Sequence, residues 1–160
     1  MSPSVELIDD EKGPYFSIGK MRIPVKFELR TGVGLKTDLF ARALGYKKTQ
    51  PEMTALDLTA GLGRDSYHLV TLGYKVTSVE RHPQICSALK MAMKLVKPEK
   101  QFEIVNAEAL EYLKSCEPFD IIYFDPMFPE RSKSALVKKE MRILREIVGD
   151  DNDADDIFRL

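Results

Sequence analysis

Gly61 and Gly63 stand one residue apart behind the apolar residues Ala55, Leu56 and Leu58, and charged Arg64 and Asp65 follow them directly. Glycine tolerates positive φ and puts no Cβ between its backbone N–H and a bound molecule, so such a turn suits close approach to a ligand. Glu80 closes the next apolar run, Val76 to Val79, roughly twenty residues beyond the first, where nucleotide-binding α/β folds place a carboxylate on ribose hydroxyls. A third group follows another apolar run: Asp125, Pro126, Met127, Phe128 and Pro129. The proline stiffens that turn, and its preceding carbonyl and the Asp125 carboxylate can face outward as two acceptors for an amine with two N–H bonds. Phe128 can stack on a flat base.

The glycine turn also discriminates between cofactors. A dinucleotide fingerprint places glycine or alanine at position 66, for close helix packing and a pyrophosphate on the helix N-terminus, whereas this chain has Ser66 after two charged residues. A carboxylate at Asp65 repels pyrophosphate and suits a cationic or amino-bearing cofactor. S-adenosylmethionine (SAM), with its sulfonium and α-ammonium, has that character. On chemistry alone Glu80 goes to the ribose, Asp65 to the methionine amino end, and the Gly61 and Gly63 backbone to close approach. A strand-to-helix turn or an Asp-Pro turn also exists without any ligand; the conjunction of the three groups is what argues for a site.

The surrounding pattern predicts the elements that must hold these groups together. Tyr67, Leu69, Val70 and Leu72 have helical spacing up to Gly73, and Pro83 opens a second helix with the apolar stripe Ile85, Cys86, Leu89, Ala92, Met93 and Val96, ending before Pro98. Phe102 to Val105 reads as a third strand, Ala107 to Leu113 as a short helix, and Phe119 to Phe124 as a fourth strand covered on both faces. This alternation predicts an α/β fold with a Rossmann-like, mostly parallel sheet and a ligand crevice at the C-terminal ends of its strands. Upstream, Val5 to Ile8 and Tyr15 to Ile18 flank a turn and predict a β-hairpin. Residues 19–34 show no clean periodicity and read as a basic loop with some extended structure. Leu35, Leu39, Phe40, Ala43 and Leu44 predict a short amphipathic helix stopping at Gly45, with a linker over Thr49 to Met53. The division expected is 1–50, an N-terminal hairpin, basic segment and helix, and 51–160, the cofactor-binding domain.

At 160 residues the chain suits one compact unit of this kind. Lys and Arg number 24 against 25 acids, so the net charge of −1 selects no partner, but the charge is segregated. Lys20, Arg22, Lys26, Arg30, Lys36, Arg42, Lys47 and Lys48 outweigh Glu28 and Asp38, while Asp150, Asp151, Asp153, Asp155 and Asp156 crowd the other end. The basic cluster is a candidate phosphate contact or simply a solvated face. Cys86 and Cys116 match no metal spacing, so no metal site and no disulfide are expected. No run reaches membrane-spanning length and the first residues lack the bases and apolar core of a leader, which predicts a cytoplasmic protein with no membrane partner.

Taken together the motifs resemble the class I SAM-dependent methyltransferases, and Asp125-Pro126-Met127-Phe128 resembles the (D/N)PP(Y/F) signature of enzymes that methylate exocyclic amino groups, with Met127 in place of the second proline. The longer string DPMFPERSKSALVKKEMRILREIVG, from Asp125 to Gly149, is similar to a narrower family, the bacterial 16S ribosomal RNA guanine-N2 methyltransferases. Asp57 to Ser66 resembles that family's DATAGLGRDA segment, and Glu80-Arg81-His82-Pro83 its ERNP. The resemblance implies cofactor contact by Arg64, Asp65, Glu80, Arg81 and Asp125, and Asp57, Gly61 and Gly63 complete the cofactor-binding set. The family's small polar pair after the third strand falls on Glu108 and Ala109, which are carried as the remaining cofactor contacts. It implies a catalytic set of Asp125, Pro126 and Phe128, SAM as cofactor, and ribosomal RNA or the small ribosomal subunit as partner.

The implied reaction is methyl transfer to a guanine N2 held by proximity, with Asp125 orienting the amine rather than removing its proton beforehand. Extruding the base would cost about a few kcal/mol, which phosphate contacts from Lys20 to Arg30 or from Lys133 to Arg145 would offset. Members of the family are longer at both ends, and their sheet has seven strands where four are visible here, so C-terminal strands are expected to be missing and an edge to lie beside the fourth. Two rival readings stay open: an inactive or RNA-binding methyltransferase-like fragment, and an NAD-dependent oxidoreductase using the same turn and Glu80.

Overall fold

The computed structural model describes residues 4–28, 38–46, 52–98, 101–126 and 154–159. A three-stranded antiparallel sheet comes first, in the order β1 (Val5–Asp10), β2 (Gly13–Ile18) and β3 (Met21–Pro24). The expected hairpin is present with a tighter turn, since Asp10 pairs with Gly13 across Glu11 and Lys12. β3 is a correction to the basic-loop reading. From Met21 to Glu28 the side chains alternate strictly: Ile23, Val25 and Phe27 are buried, while Arg22, Pro24, Lys26 and Glu28 face outward. That is the period-2 signature of a half-buried strand and its extension, obscured in the sequence by the bases on the outer face. Arg22 forms two hydrogen bonds to the Asp10 carboxylate, at 2.8 and 3.0 Å, and lies 3.6 Å over the centroid of the Tyr15 ring. Lys26 pairs with Glu28 at 2.6 Å. Two of the expected phosphate contacts therefore have acidic partners within the chain, and Arg30, Lys36, Lys47, Lys48 and the stretch from Lys133 to Arg145 lie outside the described residues.

α1 (Leu39–Ala43) comes next, and the second unit then alternates strand and helix: β4 (Thr54–Asp57), α2 (Arg64–Thr71), β5 (Lys75–Glu80), α3 (Pro83–Val96), β6 (Phe102–Asn106), α4 (Ala109–Leu113), β7 (Ile121–Tyr123) and, after an interval, α5 (Ala154–Ile157). The four strands pair in parallel in the order β6-β5-β4-β7. The chain order reverses between β4 and β7, which makes the crevice beyond their C-terminal ends the topological switch point. The pleat sorts the strands onto two cores. Ala55, Val76, Phe102 and Ile104 join α2, α3 and the inner face of the antiparallel sheet, whereas Leu56, Leu58 and Val79 pack with Ala109 and Ile157 from α4 and α5.

Two expectations shift in detail. β7 is shorter than the Phe119–Phe124 run, and Ile122 is 56% exposed, so the strand is not covered on both faces. It occupies the outer position of the described sheet, and Asp120 just before it is a tether, accepting the Thr54 N–H at 2.7 Å and the Thr54 hydroxyl at 2.9 Å. In α1 the buried stripe is rotated from the one expected. Leu39 is 74% exposed and Ala43 also faces out, while Ala41 is buried and Phe40 and Leu44 are half-buried. What orients α1 is Asp38, whose carboxylate caps the helix through the Phe40 and Ala41 N–H groups and meets His68 of α2 at 2.6 Å. Leu35 lies outside the described residues.

Gly63, the residue before α2, shows why the two units fit together. Phe27 stacks on Tyr67 of α2 at 5.1 Å between centroids and meets Phe102 of β6 edge-on at 5.2 Å. That placement leaves no room at Gly63: a Cβ there would lie 2.6 Å from Phe27 and 2.7 Å from Leu89, and the residue has φ +72°. Gly63→Ala combines a left-handed backbone with an overpacked core, so it is expected to lower unfolding free energy by about 2–4 kcal/mol. Urea denaturation of the two proteins side by side checks this, and an unchanged midpoint would contradict the packing described.

Candidate cofactor site

The glycine turn is built on a buried acid. Asp57 ends β4 with 1% exposure; one carboxylate oxygen accepts the Thr59 N–H at 2.9 Å and the other the Ser66 hydroxyl at 2.5 Å. Ser66, entirely buried in the first turn of α2, thus ties the helix start back to the strand it follows. Within the turn the Ala60 N–H donates to the Val79 carbonyl and the Gly63 N–H to the Ala60 carbonyl. Gly61 and Gly63 both have positive φ, 51° and 72°.

Glu80 ends the neighbouring strand β5 and is 5% exposed. Its carboxylate accepts the Gly61 N–H at 2.9 Å on one oxygen and the His82 N–H at 2.8 Å on the other. The Gly61 N–H therefore points at Glu80, and Gly63 is glycine to make room for Phe27 and Leu89. The close-approach role expected of the two glycines is in the first instance internal. At the end of β6 the Asn106 amide donates to the carbonyls of Glu80 and Arg81, at 2.8 and 2.9 Å, and so locks the third strand end to the second.

The far half of the site docks onto the same turn. β7 pairs with β4 in the register Asp57↔Tyr123, the Leu58 N–H donates to the Tyr123 carbonyl, and the Asp125 N–H donates to the Thr59 hydroxyl at 2.9 Å. Thr59 thereby holds Asp57 with its backbone and Asp125 with its side chain. Asp65, in the first turn of α2, accepts the Tyr123 hydroxyl at 3.0 Å. Asp57, Asp65 and Asp125 thus converge where β4 and β7 part. Glu80 ends β5, and Gly61, Gly63, Arg64, Asp65, Arg81, Glu108, Ala109 and Asp125 follow the C-terminal ends of parallel strands. Arg64 is exposed at the head of α2, Arg81 half-buried beside Glu80, Glu108 exposed as the residue before α4, Ala109 buried within α4, Asp125 exposed and Pro126 buried. Met127, Phe128 and Pro129 lie outside the described residues.

A family model described as "Putative SAM-dependent methyltransferase" matches residues 20–160. The chain belongs to this methyltransferase family. Among curated relatives it is 45% identical over 133 residues to the Ribosomal RNA small subunit methyltransferase J of Coxiella burnetii (strain RSA 331 / Henzerling II), covering 79% of this chain and 52% of the relative. It is 38% identical over 149 residues to the protein of the same name in Thioalkalivibrio sulfidiphilus, covering 82% and 58%. The crystal structure of a SAM-dependent methyltransferase from Neisseria gonorrhoeae superposes with a TM-score of 0.66 at 26% identity, over 98% of this chain and 65% of that one. The chain spans about half the length of the curated relatives it matches.

The donor set fits the family's cofactor. Burial, with the charges of Asp65 and Asp125 adding to it and the Ser66 and Thr59 hydrogen bonds opposing, pushes the Asp57 carboxyl up to about 6. Partial desolvation of its carboxyl, and then the charge of Asp65, likewise raise Asp125. Three acids gathered in one place, two of them raised by their neighbours, are a poor seat for pyrophosphate and a good one for a molecule carrying an ammonium and a sulfonium. Among the described residues no helix is long and apolar enough to cross a membrane, and no group of three His, Cys, Asp or Glu is placed to hold a metal ion.

Thr59, Ser66, Asn106 and Tyr123 were not singled out as site residues in the sequence. The hydroxyls of Thr59 and Ser66 bracket the glycine turn, and a polar residue in so short an apolar frame is the signal that marks them. Asp57 gives a direct check on this electrostatic picture. Between its ordinary value of 3.8 and about 6, the folded chain keeps a proton that the unfolded chain has lost, so this group makes stability fall as pH rises through that window and adds nothing further above it. Asp57→Asn keeps an acceptor for Thr59 and removes the titration. The stability of the variant relative to the native chain is expected to rise by about 2–3 kcal/mol between pH 3.5 and pH 7.5. Urea denaturation at both pH values reads that difference, and a constant offset between the two proteins would refute it.

Proposed function

We propose that this chain carries the cofactor site of an enzyme that transfers a methyl group from SAM to the exocyclic N2 of a guanosine in 16S ribosomal RNA, acting in the cytoplasm on the small ribosomal subunit or its RNA. The observation that carries the reading is the hydrogen bond from the Asp125 N–H to Thr59, which brings the Asp-Pro motif of β7 against the glycine turn of β4. The names of the relatives supply the RNA, and the resemblance of Asp125-Pro126-Met127-Phe128 to amino-methylating enzymes supplies the target atom.

Bound SAM supplies an electrophilic methyl on a sulfonium; the residues of the chain place it and its acceptor. Glu80 has its two oxygens oriented by backbone N–H groups, and this fixed carboxylate is the acceptor for the ribose hydroxyls. Asp65, Asp57 and Asp125 together favour the cationic end of the cofactor, with Asp65 taking the amino group. Arg64, Arg81, Glu108 and Ala109 line the approaches at the heads of α2, α3 and α4. Asp125 and the carbonyl before Pro126 accept the two N–H bonds of the target amine, which favours the pyramidal, nucleophilic nitrogen as the bond forms, and Phe128 stacks on the base. The contacts of Phe27 with Tyr67 and of Asp38 with His68 support reading residues 1–50 as a segment that seats on the 51–160 cofactor-binding part.

Glu80 and Asp125 separate binding from chemistry. Glu80→Gln is expected to weaken SAM binding by about tenfold, the loss of a charged hydrogen-bond acceptor, and Asp125→Ala to lower turnover on small-subunit RNA about a hundredfold with SAM affinity within about threefold. Calorimetry and a methylation assay read the two quantities. Equal loss of SAM binding in both variants would confine Asp125 to the cofactor; binding of NAD in place of SAM would favour the oxidoreductase; and SAM binding without turnover in the native chain would favour an RNA-binding fragment.

A further inference from the structure

We propose that Tyr123 is a positioning residue for the amino end of the cofactor, acting through Asp65; this rests on the reading of the site given above. Tyr123 is the last residue of β7 and the only side chain that the described structure shows running directly from that strand to the cofactor turn as a hydrogen-bond donor. Its backbone is fixed against β4, by pairing with Asp57 and by the Leu58 N–H on its carbonyl. Its ring packs edge-on against Phe40 at 5.1 Å between centroids, which leaves the hydroxyl aimed at Asp65, 3.0 Å away.

The need for such a donor follows from the charges. Asp65, half-buried in the first turn of α2, sits beside Asp57 and Asp125, and a hydrogen bond to its carboxylate helps to fix its direction against their repulsion. A phenol does this without adding a positive charge that would compete with an ammonium ligand. A lysine or arginine in the same place would neutralise the acid. The phenol is also a dependable donor here, because burial and then the charges of Asp65, Asp125 and Asp57 raise its pKa and keep the proton on it. A carboxylate can accept about four hydrogen bonds, and the phenol takes its place on one oxygen of Asp65.

Tyr123→Phe removes the hydroxyl and keeps the ring against Phe40, which makes the test clean. Two ligands distinguish a positioning role from a general loss of structure: SAM, and 5′-methylthioadenosine, which has the same adenosine and sulfur but no amino acid. In the full chain, calorimetry is expected to show SAM weakened about tenfold in Tyr123→Phe, with methylthioadenosine changed by less than about twofold. Asp65→Asn, which leaves Tyr123 in place, is expected to show the same split, and the double variant to be no weaker than Asp65→Asn alone. Equal weakening of both ligands, additive losses in the double variant, or a lowered melting temperature with unchanged affinities would overturn the proposal. Failure of the native chain to bind either ligand would instead remove the reading of the site on which the proposal stands.

Discussion

The Glu80 carboxylate is the constraint on which the site depends. A buried carboxylate is costly unless its oxygens are hydrogen-bonded, and here the two donors come from different loops: Gly61 from the turn after β4 and His82 from the entry to α3. One side chain therefore fixes the distance between two loops that the sheet alone would leave adjustable. The Ala60 N–H on the Val79 carbonyl and the Asn106 amide on the carbonyls of Glu80 and Arg81 extend the same lock across three strand ends. A ligand carboxylate or phosphate in that position would have to break it, whereas hydroxyls can add to it.

Against this rigid side, the β4–β7 side of the crevice is electrostatically unfavourable when considered alone. Asp57 is wholly buried, and two further acids raise it. The hydrogen bonds from Ser66 and Thr59 reduce the penalty without removing it. Sites that violate the rules of a stable core in this way are where function is expected, because a bound partner of opposite charge turns the repulsion into affinity. The charge pattern also accounts for the departure from the dinucleotide fingerprint at position 66: serine is there to hold Asp57, and glycine or alanine would leave that acid with one hydrogen bond fewer.

The parallel sheet was legible because its strands are short apolar runs punctuated by Gly61, Gly73, Pro83 and Pro98, and the positions of Glu80 and Asp125 at strand ends follow from that punctuation. β3 was not legible, since alternation of Ile23, Val25 and Phe27 with Arg22 and Lys26 looks like a charge cluster until the partner Asp10 is known. Nor was the inward role of Gly63, which depends on Phe27 arriving from a segment distant in sequence. Periodicity reveals which face a residue takes. It does not reveal which neighbour from elsewhere in the chain will meet it, and Thr59, Asn106 and Tyr123 owe their roles to such neighbours.

Helix α2 carries the last link between the two parts of the chain. Asp65 and His68 are three residues apart, on one side of the helix, with Asp65 directed to Tyr123 and His68 to Asp38. Phe40 fills the space between, 5.2 Å from His68 and 5.1 Å from Tyr123 between centroids. Asp38 is held below the usual carboxylate range even though burial pushes it up, because the Ala41 N–H, His68 and the Phe40 N–H favour its charged form. The cap of α1 and the acid of the cofactor turn are thus parts of one packed cluster. A change in the seating of residues 38–46 is therefore felt first at Tyr123 and Asp65, before any effect on the Glu80 lock two strands away.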